Sequence, residues 1–133
     1  MSLPEVQNPL VLYLARLAPS SQLTMKYVLQ DAADRLGFVE MDIHEVPWHQ
    51  LQPGHVIALV AALREDGYAP NTSSLYVNAI RGVTNEAWRQ SLISHEHLLK
   101  MRSVKPMAGT RLSKGKNIRR TLIRELKIGR AHV

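Results

Sequence analysis

The chain has 133 residues, of which 45% are hydrophobic and 21% are charged. This length suits one domain, or a small domain with an appended segment, and it is long enough to bury a core. No apolar run approaches the ~20 residues of a membrane span, no secretory signal is visible at the start, and cysteine is absent. We therefore expect a cytoplasmic protein that uses neither disulfides nor thiolate chemistry.

Charge is distributed unevenly along the chain. Residues 1–60 contain three basic and six acidic residues, whereas residues 61–133 contain 14 basic and five acidic ones. The net charge is +6, and this asymmetry indicates a polyanionic partner, with nucleic acid as the first candidate. A solvated basic tail is the alternative interpretation of the same pattern.

The first two predicted elements are helices. Residues 8–17 form a short helix that Asn8 can cap. Ser20 or Ser21 is predicted to cap a second helix, which runs to about residue 36 and stops at Gly37. Its apolar residues recur at spacings of three and four, which places them on one helical face. They are Met25, Val28, Leu29, Ala32 and Leu36.

Three further helices follow a connector. The third is predicted to open at Pro53 and close at Gly67, the fourth and longest to run from Pro70 to near Leu92, and the fifth to cover residues 95–101. No stretch alternates convincingly as a strand, so the predicted fold class is all-α, a small bundle of four to five helices. The buried stripe of the fourth helix is predicted to be Tyr76, Ile80, Val83 and Ala87.

Composition divides the chain into three parts. Residues 8–102 are predicted to be the helical domain, and residues 103–117, rich in glycine, serine, proline and lysine, a basic linker. Residues 118–133 are predicted to begin a further domain that is truncated. Its last part, residues 127–133, reads like a translated sequencing adapter and is interpreted as an artefactual tail; a natural divergent terminus is the alternative.

The fourth helix also carries a polar stripe beside its apolar one. Asn71 and Thr72 add amide and hydroxyl groups at the start of this helix, where free backbone N–H groups and the helix dipole favour phosphate. Serine, asparagine and arginine are side chains that contact DNA backbone and base edges. An ordinary solvated helix face is the alternative. The stripe comprises Ser74, Asn78, Arg81, Asn85 and Arg89.

Four segments together resemble a known family. In chain order they are NPLVLYLARLAPSSQLTMKYVLQDAADRLGF, PWHQL, APNTSSLYVNAIRGVTNEAWRQSLI and VKPMAGTRLSKGKN. Their order and spacing resemble tyrosine recombinases, and more narrowly the N-terminal, core-binding half of phage- or transposon-type integrases. The resemblance covers about residues 8–126.

The resemblance implies a SAM-like helical domain that binds one face of a recombination half-site in double-stranded DNA. A linker then crosses the DNA to a C-terminal catalytic domain, which completes a clamp, and other recombinase protomers join it in a synaptic complex. The resemblance implies that residues 118–133 are the truncated start of that catalytic domain. Arg81, in the family's Arg-Gly pair, is the foremost candidate for a DNA contact. The full set of DNA-binding candidates is Ser21, Thr24, Lys26, Asn71, Thr72, Ser74, Asn78, Arg81, Arg111, Lys114 and Lys116.

No catalytic residue is assigned to this chain. In the family, the tyrosine nucleophile and its Arg, Lys and His partners lie after the linker, so we expect this chain alone not to cleave DNA. We also expect no cofactor, metal, membrane or small-molecule substrate; His95 and His97 are too few and poorly spaced for zinc. A helical protein-interaction or assembly domain is the principal alternative, and a small independent enzyme a weaker one. The four tyrosines, each predicted to pack in the bundle, are Tyr13, Tyr27, Tyr68 and Tyr76.

Overall fold

The computed structural model describes residues 8–106 of the chain. These residues form five α-helices and one 3₁₀ turn, with no strand among them. This confirms the all-α prediction. The elements are α1 (Pro9–Ala15), α2 (Pro19–Arg35), a 3₁₀ turn (Trp48–Gln50), α3 (Pro53–Glu65), α4 (Pro70–Arg89) and α5 (His95–Arg102).

Proline begins each of the first four helices. Its fixed φ suits the first helical position, where a missing N–H removes no intrahelical bond. Asn8 caps α1 as predicted, because its side-chain oxygen accepts the Leu10 N–H at 2.9 Å. The prediction that Ser20 or Ser21 caps α2 is wrong, because Ala18 occupies the cap position. The four prolines are Pro9, Pro19, Pro53 and Pro70.

Two of the helices, α2 and α3, end just before a glycine. Gly37 after α2 and Gly67 after α3 have φ of +103° and +83°, the left-handed conformation that the sequence predicted for these stops. α4 ends at Arg89, short of the predicted Leu92. Ser91 adopts φ of +62°, and the Leu92 N–H returns to the carbonyl of Ala87 at 2.9 Å, so the chain reverses before it reaches Leu92.

α4 is the central element of the bundle, since it contacts every other helix and the 3₁₀ turn. Its predicted stripe is buried in full, and Ala79 and Val77 join it to make the covered face wider than the stripe. Burial of apolar surface stabilises the fold by about 25 cal/mol per Å², so this helix supplies much of the core. The stripe residues are Tyr76, Ile80, Val83 and Ala87.

The connector between α2 and α3 contributes to the core, which the sequence analysis did not anticipate. Ile43, Val46 and Trp48 are all buried in the main hydrophobic cluster. The Trp48 indole N–H donates to the carbonyl of Ile43 at 2.9 Å, which satisfies the one polar atom of this buried side chain.

α2 and α4 run antiparallel, and polar contacts join both of their ends. Near the end of α2, Asp31 accepts a 2.5 Å hydrogen bond from the Tyr76 hydroxyl and a 2.9 Å bond from Arg35 Nε. Arg35 also reaches Asp66 beyond α3, at 2.7 Å. Arg16, just before α2, pairs with Glu86 near the end of α4. The start of α2 is therefore level with the end of α4.

The structure contradicts the predicted packing of one tyrosine and shows in detail how another packs. Tyr27 is 70% exposed on α2, so the prediction that it packs in the bundle is wrong. Tyr13 of α1 lies against Gly82 of α4 so closely that a Cβ added there would fall within 3.0 Å of three ring atoms. Only glycine gives α1 this close approach to α4.

Candidate nucleic-acid interface

The polar stripe forms a surface on the side of α4 opposite its buried stripe, so the prediction that the two stripes lie side by side is wrong. Asn78 and Arg89 are exposed, and the other members of the stripe are half-buried. We call this surface, together with Asn71, the polar face of α4. Its residues are Asn71, Ser74, Asn78, Arg81, Asn85 and Arg89.

No carboxylate is exposed on the polar face. The single acidic residue of α4, Glu86, is 3% exposed and lies on the covered side of the helix. Arg16 Nε and Arg89 Nη1 hold its carboxylate at 2.5 and 2.7 Å. A buried carboxylate that is paired in this way leaves the adjoining surface free of the negative charge that would repel DNA phosphate.

The start of α4 presents unpaired polar groups to solvent. Ala69 at the cap position cannot offer a side-chain acceptor, and Pro70 has no N–H. The first backbone N–H groups, those of Asn71 and Thr72, therefore point out of the helix end beside their own polar side chains. Such an end attracts anions through the helix dipole.

The predicted contacts on α2 are exposed, with apolar neighbours between them. Ser21, Thr24 and Lys26 all reach solvent, although the Thr24 hydroxyl donates to the carbonyl of Ser20 at 3.4 Å. Leu23 on the same helix is 72% exposed. This part of α2 is therefore a mixed surface, whereas the polar face of α4 is hydrophilic along its length.

The predicted DNA contacts on α2 and those at the start of α4 do not lie close together in the structure. Because α2 and α4 are antiparallel, Ser21 and Thr24 lie near the level of Glu86, whereas Asn71 and Ser74 lie at the opposite end of α4. At 1.5 Å per residue these ends are about 20 Å apart. A surface of that length spans about six base pairs of B-form DNA at 3.4 Å each.

Arg81 is partly engaged inside the protein. Its Nη2 donates to the carbonyls of Val104 at 2.6 Å and Arg102 at 3.1 Å, so the guanidinium joins α4 to the chain leaving α5. Residue spacing could not indicate this contact, because its partners are backbone carbonyls 21 and 23 residues away. A DNA contact by Arg81 stays a prediction.

The net positive charge of the protein lies outside the described bundle. Residues 8–106 contain nine basic and nine acidic residues, whereas residues 107–133 contain eight basic residues and one acidic residue. The predicted linker contacts Arg111, Lys114 and Lys116 belong to this second group and lie outside the described residues. The bundle is thus electrically neutral as a whole, with its polar face free of acid.

A second surface, which the sequence analysis missed, adjoins the end of the polar face. Trp88 is 41% exposed and its ring lies 5.7 Å from the His95 ring. Leu92 in the turn after α4 and Leu99, one helical turn after His95 on α5, are 42% and 51% exposed. We call these four residues the Trp88 patch. Trp88 falls outside the spacing of the buried stripe, and that was the available signal that it does not pack inward.

One groove on the bundle is lined by residues that belong to neither of these surfaces. This groove, of about 340 Å³, lies between α3 and the chain after α5, and among the described residues lining it Arg64, Ser103 and Lys105 are polar, without a carboxylate or histidine. Within residues 8–106 no group of three His, Asp or Glu side chains could hold a metal ion. No helix in the same range is long and apolar enough to cross a membrane.

Comparison of the chain with protein-family models, curated proteins and solved structures gave no match. Its function is therefore argued from the sequence resemblance and from the surfaces described above.

Proposed function

We propose that this protein is a DNA-binding module, the core-binding domain of a site-specific tyrosine recombinase. In this proposal the helical bundle holds a recombination half-site as one half of a clamp used in DNA integration or recombination. Support comes from the four sequence segments that resemble this family and from the all-α bundle that residues 8–106 form.

The observation that carries the proposal is the polar face of α4. Asn71, Asn78 and Arg89 are exposed along one side of a 20-residue helix whose single carboxylate is buried and paired. A helix of this kind fits the major groove, where asparagine and arginine can donate to base edges and phosphates. The neutral charge of the bundle avoids repulsion but supplies little long-range attraction.

Attraction to DNA would come from the basic residues after Pro106. In the proposed arrangement the bundle reads the groove while Arg111, Lys114 and Lys116 lie along the phosphate backbone. Each phosphate neutralised releases counterions, so these residues contribute most of the salt dependence of binding.

The test is fluorescence anisotropy of the full chain with a ~30-base-pair duplex over a salt series. We expect log affinity to fall linearly with log salt, and replacement of Arg111, Lys114 and Lys116 by alanine to reduce the slope by up to about 2.7. Asn78→Ala should weaken binding by about 1–3 kcal/mol if it contacts a base. Gln50→Ala, an exposed amide on the 3₁₀ turn, is the matched control and should leave affinity unchanged. Absence of binding at low salt would overturn the proposal.

The proposal assigns binding, and not strand cleavage, to this chain. Among the tyrosines, Tyr76 donates to Asp31 and Tyr13 packs on Gly82, so neither hydroxyl is placed against a base in an open site. Tyr27 is exposed on α2, whereas the resemblance places the Arg, Lys and His partners of a tyrosine nucleophile after the linker. A covalent protein–DNA adduct trapped on a nicked half-site duplex would contradict this part of the proposal.

The Trp88 patch favours a second candidate function, a helical assembly domain. An exposed tryptophan is typical of the centre of a protein interface, where aromatic residues are enriched. In this candidate the patch joins a second copy of the chain. Sedimentation equilibrium should then show association that Trp88→Ser abolishes and that Asn78→Ala preserves; a monomer at all concentrations would exclude it.

A further inference from the structure

Leu75 is an exposed apolar side chain beside the polar face of α4. It is 38% exposed, and it lies four residues after Asn71 and three before Asn78, both of which are also exposed. On a helix, side chains at these spacings are neighbours, with Cβ atoms about 5–6 Å apart. The three residues therefore form one strip, in which a leucine stands between two amides.

The strip is short and ends where α1 packs on the helix. Gly82 follows Asn78 by four residues on the same side of α4, and the Tyr13 ring lies against it. From Asn71 to Asn78 the helix rises about 10 Å at 1.5 Å per residue. The accessible strip therefore lies in the first half of α4, and its apolar part is a single side chain.

The composition of the strip suits DNA better than a protein partner. The centre of a protein interface is enriched in aromatic residues, but Trp88, the exposed aromatic residue of α4, lies about 20 Å further along the helix axis than Leu75. The one carboxylate of α4, on Glu86, is buried and paired. No acidic group on this helix therefore opposes the approach of DNA phosphates to the strip.

In the major groove of DNA, an A·T base pair offers partners for both kinds of side chain in the strip. Thymine presents its C5-methyl group, and adenine presents a donor at N6 and an acceptor at N7, which the amide of asparagine can pair with at the same time. A G·C pair presents acceptors at guanine N7 and O6 and a donor at cytosine N4, without a methyl group. Leucine next to asparagine is therefore complementary to A·T and not to G·C.

We propose that Leu75 and Asn78 together recognise an A·T base pair in the major groove. Leu75 covers the thymine methyl group, and Asn78 makes paired hydrogen bonds to adenine N6 and N7. This inference rests on the proposed function and deepens it, since it names the base pair that this side of α4 reads. The contacts predicted from the sequence are all polar or basic, so Leu75 is an addition to them.

The test for Leu75 uses two duplexes of alternating A·T sequence that differ only in the thymine methyl group, because one contains uracil in place of thymine. Every register of such a duplex presents an A·T pair, so the natural target sequence is not needed. In fluorescence anisotropy of the full chain, we expect the thymine duplex to bind about fourfold more tightly, which corresponds to about 0.8 kcal/mol for one buried methyl group.

Substitution then shows whether Leu75 is the source of this preference. Leu75 lies outside the hydrophobic core, so Leu75→Ala keeps the fold, and it should reduce the preference for thymine to less than about 1.5-fold. Ile57→Ala is the matched control, because Ile57 is a 58% exposed apolar residue on α3. It should preserve the fourfold preference.

A third duplex tests Asn78. Replacement of adenine by 7-deazaadenine removes the N7 acceptor and should weaken binding about fivefold in the unaltered chain and in Gln50→Ala, but not in Asn78→Ala. Equal affinity of the unaltered chain for the thymine and uracil duplexes would overturn the inference while leaving the proposed function standing. A thymine preference that survives Leu75→Ala, or indifference of the unaltered chain to 7-deazaadenine, would do the same. No binding to any duplex at low salt would overturn both.

Discussion

The contact between α1 and α4 can be tested with one substitution, because its effect on the free energy of unfolding should reverse in sign when the contact is removed. Gly82 lies inside α4, where alanine would ordinarily stabilise the helix by about 1 kcal/mol. A Cβ at this position, however, would fall within 3.0 Å of three atoms of the Tyr13 ring. Gly82→Ala must therefore displace α1 or rotate the Tyr13 side chain.

The magnitude follows from two opposing terms. Overpacking of a closely packed site costs about 1–3 kcal/mol and more where a ring must move, and the gain in helix propensity returns about 1 kcal/mol. We expect Gly82→Ala to lower the free energy of unfolding by up to about 2 kcal/mol. In a Tyr13→Ala background the clash is absent, so the same substitution should raise it by about 1 kcal/mol.

The assay is urea unfolding followed by circular dichroism for the four members of the cycle. Gly54→Ala provides the matched control, because a Cβ there meets no atom within 4 Å and Gly54 also lies in a helix. It should stabilise the protein in either background. Stabilisation of equal size by Gly82→Ala with and without the Tyr13 ring would refute the packing of α1 on α4.

Three further predictions concern buried polar contacts. Burial, together with the hydrogen bond to Asp31, raises the pKa of Tyr76, so its stabilising contribution is complete below about pH 10 and is lost as pH rises further. Tyr76→Phe should cost about 1–3 kcal/mol at pH 7 and flatten the loss of stability above pH 10, as measured by urea unfolding against pH; identical alkaline profiles would contradict this. Trp48→Phe removes the donor to the Ile43 carbonyl and should cost about 1–3 kcal/mol in the same assay, whereas a neutral result would exclude that bond. Glu86→Gln should lower the melting temperature, by an amount corresponding to about 1–2 kcal/mol, because two half-exposed arginines lose their shared carboxylate; unchanged melting would show that these ion pairs contribute nothing.

Helix positions were predictable where local chemistry decides them. Gly37 and Gly67 stop their helices because a positive φ favours glycine. The reversal at Ser91 could not be read from the sequence, since serine seldom adopts that conformation and no glycine marks the end of the helix. Ser20 and Ser21 do not cap α2 because Pro19 already occupies its first helical position, which makes Ala18 the cap residue.

The other features of the candidate site depend on contacts between helices, which residue spacing does not predict. The polar face of α4 followed from spacing alone, since one helix arranges its own residues. The engagement of Arg81 did not, because its partners are carbonyls brought close by the folding of α5 onto α4. Likewise, the roughly 20 Å between the two predicted contact sets depends on the antiparallel pairing of α2 and α4.

Amide chemical-shift mapping of the full chain with a duplex tests the central claim most directly. The account predicts perturbations concentrated on Asn71, Asn78 and Arg89 of the polar face, with the connector around Ile43 unaffected. Perturbations absent from the polar face at saturating DNA, or confined to the Trp88 patch, would contradict it.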